Sequence, residues 1–261
     1  MAVRAAEDCL ASAGAAPAEV RMVFVSSGSA ERRFPGPAAT VAARLGMGET
    51  PAIDLPVASA GSLFGLSLAA RLAAHAAPIL VVAAEKMSEV VLQQPMDRGI
   101  APLFGDGAGA CLITTEQGAA ACARFVDSSV ASDGAYAEDL RLEFSRPLEM
   151  NGRSVILQAS RKIPRSIGEL LERNGRSAGD VGVFLMHQAN QNLTVRIAES
   201  LGVASETFFS NIRRYGNTSS ASMLIAAKEW FDSNRLAPGV PAVFAAFGAG
   251  FHWGALLAEG C

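Results

Sequence analysis

The feature that most constrains this chain is an internal repeat. The segment EDCLASAGAAPAEVRMVFVSS, from Glu7, aligns with GELLERNGRSAGDVGVFLMHQ, from Gly168, so that Gly14 matches Gly175 and Val20 matches Val181 at a spacing of 161 residues. VAARLGM then pairs with RIAESLGV, PILVVAA with PAVFAAF, and DGAGACLI with HWGALLAEG, all in the same order. Ordered matches at a nearly constant offset describe one supersecondary unit used twice. Within each copy, helical spacing alternates with short apolar runs, which makes the unit α/β. The first copy reads as a helix over 2–14 ending at Gly14, a strand over 20–25, a helix near 37–45, a strand over 52–55, a helix from about 59 to 75, the strand PILVVAA, and a last strand ACLITT after the glycine-rich FGDGAG. The expectation is two α/β halves related by a pseudo-two-fold axis, residues 1–120 and 121–261.

The copies differ at their starts. The second opens with a strand-like segment near 123–130 before its first helix, whereas the first opens directly on the helix. The repeat therefore predicts that the first half lacks its leading strand, which a partner, a different closure or an earlier chain start would supply. Half of the residues are hydrophobic and the net charge is −3, without a basic block, which excludes a disordered chain and gives no footprint for nucleic acid or an anionic membrane. The longest aliphatic run, Ile79 to Ala84, is too short to span a bilayer, and the start reads as an amphipathic helix and not a signal peptide. The four cysteines are dispersed, without metal-ligand or disulfide spacing. A cytoplasmic protein without a bound metal is expected.

Three residues fall at strand ends or the helix starts that follow, where open α/β sheets collect ligands: Ser59 in DLPVASAG, His187 in FLMHQAN, and Asn217 in RYGNTSS, placed by the repeat opposite Ser59. Each has an ordinary structural reading. Ser59 suits a helix N-cap, His187 a satisfied buried histidine, and Asn217 a turn. His75 and His252 read as structural, Cys111 as an inert strand residue, and Asp106 as a turn-fixing acceptor. FGDGAGA lacks the lysine of a phosphate loop.

DLPVASAG, DRGIAPLFGDGAGA, HQAN, YGNTSSAS and FGAGFHWGALL together resemble the signature blocks of β-ketoacyl-acyl carrier protein synthase III, in the thiolase superfamily. The resemblance implies a thiolase-like fold layered α-β-α-β-α, without the family's first strand. It also implies a catalytic cysteine, histidine and asparagine; His187 and Asn217 stand at the latter two places, and Ser59 stands where the cysteine is expected. A thiolate at a helix N-terminus takes up an acyl group readily, whereas a serine needs an adjacent base. His187 is the candidate base, and the backbone N–H groups of Ser59 and Ala249 are candidate oxyanion donors. The family's histidine and asparagine also hold the thioester carbonyl while malonyl decarboxylates, which needs no thiol. By the same resemblance Arg98 lies near the adenine of coenzyme A, Asn190 touches the pantetheine arm, Phe34 crosses a dimer interface, and Phe104, Met150 and Phe247 line the acyl pocket. Asn192 occupies the place of a family arginine, which points toward carrier protein as donor.

The implied activity is transfer of a short acyl group from a thioester onto Ser59, with or without condensation onto malonyl-acyl carrier protein. No cofactor is expected beyond coenzyme A or phosphopantetheine as substrate carriers, and the expected partners are acyl carrier protein and a second synthase chain, identical or related. The rival is a non-catalytic subunit of a cysteine-containing synthase.

Overall fold

A computed structural model describes residues 1–118, 120–144 and 146–261. The first half runs α1 (Ala2–Ala13), β1 (Met22–Ser26), α2 (Pro37–Arg44), β2 (Ala52–Leu55), α3 (Gly61–Ala76), β3 (Ile79–Lys86), α4 (Met87–Val91) and β4 (Asp106–Ile113). The second runs β5 (Arg124–Ser132), β6 (Leu140–Arg141), β7 (Glu149–Met150), α5 (Gly152–Arg173), β8 (Val183–Met186), α6 (Gln191–Leu201), α7 (Ile212–Tyr215), α8 (Ser222–Ser233), β9 (Pro241–Gly248) and β10 (His252–Glu259). As Gly14 predicted, α1 ends there in a left-handed cap, φ 66°.

Two four-stranded sheets form, ordered β2-β1-β3-β4 and β5-β10-β9-β8. Alternation along the strands assigns their two faces. Ile79, Val81 and Ala83 turn inward with Ala242, Phe244 and Ala246 against α3 and α8, while Leu80 and Val82 turn out toward α1 and α2. Val243, Ala245 and Phe247 turn out toward α5 and α6. The result is the expected α-β-α-β-α layering, with α3 and α8 buried between the sheets. Among the described residues no helix is long and apolar enough to cross a membrane.

The structure sharpens the repeat in two places. β5 covers the outer edge of β10, whereas the matching edge of β4 carries no strand among the described residues. The second copy's counterpart of β2 shrinks to a single parallel bridge, Phe184 to Phe208. Between β5 and α5 lies a segment that carries the β6–β7 hairpin.

The glycine-rich segment is itself strand, starting at Asp106 and not after the glycines. A Cβ on Gly109 would stand 2.7 Å from the Leu224 Cβ and 3.3 Å from the Ile225 amide nitrogen, so bare backbone lets α8 seat on β4. Gly109→Ala should destabilise the fold by about 1–3 kcal/mol through overpacking, read as a lower denaturation midpoint.

Candidate active site

Ser59 lies between β2 and α3 with φ 63°, a left-handed conformation that non-glycine residues rarely adopt. It is not the helix cap. That position is Ala60, and no side chain caps it. The elbow is held from both sides. Gly248, at the end of β9, packs against it so closely that a Cβ there would run into Ala58 O and stand 2.8 Å from Ala60 N. On the other side the Ser59 N–H donates to Ser219 Oγ at 3.0 Å, and the two hydroxyl oxygens lie 3.5 Å apart.

Ser219 is the other non-glycine residue with positive φ among the described residues, at 47°. It shares the elbow conformation of Ser59, lies 160 residues further on and likewise leads into a helix. Ser219, rather than Asn217, therefore matches Ser59 in backbone conformation and in the helix that follows. The Ser59 N–H assigned above to an oxyanion hole is already engaged by this pairing.

Asn217 is fixed by backbone on both sides, its N–H donating to Leu103 O at 2.8 Å and its carbonyl accepting from Gly105 N–H at 3.1 Å. Its side-chain oxygen accepts from the Ser219 N–H at 2.9 Å, which leaves the carboxamide nitrogen as the end available to a ligand. His187 follows β8, its backbone N–H bonded to Ala245 O at 2.9 Å. The residue is 7% exposed. Burial pushes its pKa down to about 4, against which a hydrogen bond to Ser219 O pulls weakly upward, so the ring is neutral near pH 7. Nδ1 lies 2.6 Å from Ser222 Oγ.

These three side chains meet in one cavity of about 1060 Å³, lined also by Phe104, Met150, Asn190, Phe247 and Ala249. Asn190 uses its side-chain oxygen to cap α6, accepting from Asn192 N–H and Leu193 N–H. Phe34 and Arg98 fall outside the lining. Arg98 is exposed, and Phe34 stands 85% exposed on the loop before α2. His252 packs edge-on against Phe64 and bonds Ser132 Oγ at 2.6 Å, in keeping with a structural role.

Sequence reasoning missed the groups that hold the site. Glu85 is 1% exposed, and its carboxyl accepts from Gly28 N–H, from Ser29 N–H and hydroxyl, and from Ser220 N–H and hydroxyl, tying the loop after β1 to the segment behind Asn217. The available signal was a lone acidic residue ending an apolar strand. Glu85→Gln turns a donor toward donors and should destabilise the protein by about 1–3 kcal/mol, seen in its unfolding midpoint. A wall of Val155, Ile156, Ala159 and Ile163 from α5 also went unread.

Residues 53–134 match the family described as 3-oxoacyl-[acyl-carrier-protein] synthase III, and residues 171–259 match its C-terminal part. A beta-ketoacyl-[acyl-carrier-protein] synthase III of Oleidesulfovibrio alaskensis is 33% identical over 98% of this chain and 82% of its own length. The crystal structure of 3-oxoacyl-[acyl-carrier-protein] synthase III from Aquifex aeolicus is similar with a TM-score of 0.93 and 31% identity, covering 99% of this chain and 83% of that one. The priming beta-ketosynthase of the R1128 polyketide pathway follows at 0.87 and 30%, covering 100% and 81%. With its layered fold, its paired elbows and these likenesses over nearly its whole length, the chain belongs to the 3-oxoacyl-[acyl-carrier-protein] synthase III family of acyl-transferring enzymes.

Proposed function

We propose that the cavity transfers a short acyl group from a thioester, on coenzyme A or carrier protein, onto Ser59 and condenses it with malonyl-acyl carrier protein in fatty acid or polyketide biosynthesis. The observation that carries this reading is the meeting of Ser59, His187 and Asn217 in one largely apolar cavity. In the first step Ser59 Oγ attacks the thioester carbonyl, the carbon–sulfur bond breaks, and the hydroxyl proton leaves with the thiol. In the second the malonyl carboxylate departs as carbon dioxide. Its bonding pair passes into an enolate, whose oxygen His187 Nε2 and Asn217 hold. The carbanion then attacks the acyl carbon, and Ser59 leaves as an alkoxide that takes its proton from water. Exposed Phe34 is assigned to contact with a second synthase chain.

Intact-protein mass after incubation with acetyl, propionyl and longer acyl thioesters tests the first step. A stable adduct absent from Ser59→Ala supports it, and no adduct with any donor in folded protein overturns it. One observation favours the rival subunit reading: among the described residues, the hydrogen-bond partner of Ser59 Oγ is Ser219 Oγ at 3.5 Å, and no hydrogen bond joins it to His187. That reading requires stable co-purification with a cysteine-containing relative.

A further inference from the structure

The condensation leaves Ser59 Oγ with a charge that the groups named so far do not meet. His187 and Asn217 are assigned to the enolate oxygen, whereas the bond that breaks leaves its electron pair on Oγ. An alkoxide is a poor leaving group beside a thiolate, whose thiol has a pKa of about 8.5. A serine in the place of a cysteine therefore needs a hydrogen-bond donor at its own oxygen, which a cysteine does not.

One group stands there. Ser219 is 2% exposed, lines the cavity and is pinned from two directions. Its N–H donates to the Asn217 side-chain oxygen at 2.9 Å, and its Oγ accepts the Ser59 N–H at 3.0 Å. Its φ of 47° lies in the sparsely populated left-handed region, where a non-glycine residue persists only if its surroundings hold it. With one lone pair of Oγ turned to that N–H, the hydroxyl still has its hydrogen to place. Among the described residues the acceptor within reach is Ser59 Oγ, at 3.5 Å. That separation is long for two neutral hydroxyls. A hydroxyl donating to an oxyanion settles at about 2.5–2.7 Å, so the contact tightens as charge gathers on Ser59 Oγ.

We infer that Ser219 is a catalytic residue whose hydroxyl donates to Ser59 Oγ when that oxygen carries charge, as its bond to the acyl carbon forms or breaks. This rests on acyl capture at Ser59 as proposed above. As the enolate carbon bonds to the acyl carbon, the acyl carbon–oxygen bond breaks and its pair stays on Ser59 Oγ under the Ser219 O–H. That oxygen then takes a proton from water, and Ser219 keeps its own.

The test loads the full chain from acetyl-coenzyme A, removes the donor, and chases with malonyl-acyl carrier protein while intact mass is followed. Ser219→Ala should slow loss of the acetyl mass at least about tenfold, the worth of one hydrogen bond to a charged group. Ser219→Gly, which takes a positive φ without strain, should slow it equally. Placed on Ser59→Cys, the same two substitutions should cost less than about threefold, because a thiolate departs unaided. Both backgrounds lose the acceptor of the N–H at position 59 alike, so the difference between them reads donation to the leaving atom and not a loosened elbow. A variant that no longer loads, while its Ser59→Cys form still does, supports the proposal too, since loading charges the same oxygen. Equal losses in the two backgrounds, or no loss in either, overturn it. A native chain that takes up no acyl group overturns it together with the proposed function, whereas condensation at the native rate with Ser219 replaced overturns the proposal alone.

Discussion

Ser59→Cys should capture acyl groups from thioesters at least about a hundredfold faster than the native chain. A serine hydroxyl without a base hydrogen-bonded to it forgoes the general-base contribution, which is worth about 10²–10⁴ in rate. Among the described residues the Ser59 oxygen is hydrogen-bonded to the Ser219 hydroxyl alone, at a long 3.5 Å. A thiol needs no such neighbour, since a few per cent is thiolate near pH 7 and the thiolate is intrinsically nucleophilic. The elbow's left-handed backbone and the Gly248 contact belong to the main chain, so the sulfur should occupy the place of the oxygen. Time-resolved intact mass with acetyl and propionyl thioesters reads the rates, with Ser59→Ala as the blank. A gain below about tenfold would show that nucleophile identity does not limit capture and would refute this account.

His187→Gln carries the second large effect, in two separable readouts. Loss of one oxyanion ligand should lower malonyl-thioester decarboxylation by about 10²–10³. The same substitution should also change how stability depends on pH. The folded pKa of His187 is about 4, below the ordinary 6.5. The unfolded chain therefore binds the extra proton between those values, and stability rises with pH across that window. It is fully present above about 6.5, and about 3 kcal/mol is lost as pH falls toward 4. In His187→Gln that part of the slope should disappear. Denaturant midpoints measured from pH 4 to pH 7 check it, and an unchanged slope would show that the ring is not the neutral, buried group described above.

The sequence carried much of this, for definite physical reasons. Glycines and apolar strand runs are short-range signals, so the duplicated unit and the Gly14 cap could be read from spacing, whereas the layering came from the family resemblance. His187 and Asn217 stood out because polar residues at strand ends and helix starts have few structural excuses together. The register around Ser59 was read two residues off, because letters alone do not reveal that positions 59 and 219 share a left-handed backbone. Ser220 and Ser222 drew no reading from the sequence; only the third dimension points one at Glu85 and the other at His187. The α5 wall and the β6–β7 hairpin escaped because apolar residues along a helix face read as ordinary core, and two-residue strands are too short to show alternation.

That wall has a consequence for how such a catalyst can diversify. Every group assigned to the reaction sits around the two elbows, where Ser219 and Ser59 lock each other and six consecutive positions from Asn217 to Ser222 are buried. One side of the cavity is instead built from the hairpin and the facing side of α5, which carry none of those groups. Tolerance to change is thus unevenly distributed. Drift in the wall alters the shape offered to an acyl chain while leaving proton handling untouched, whereas drift around the elbows disables the chemistry itself.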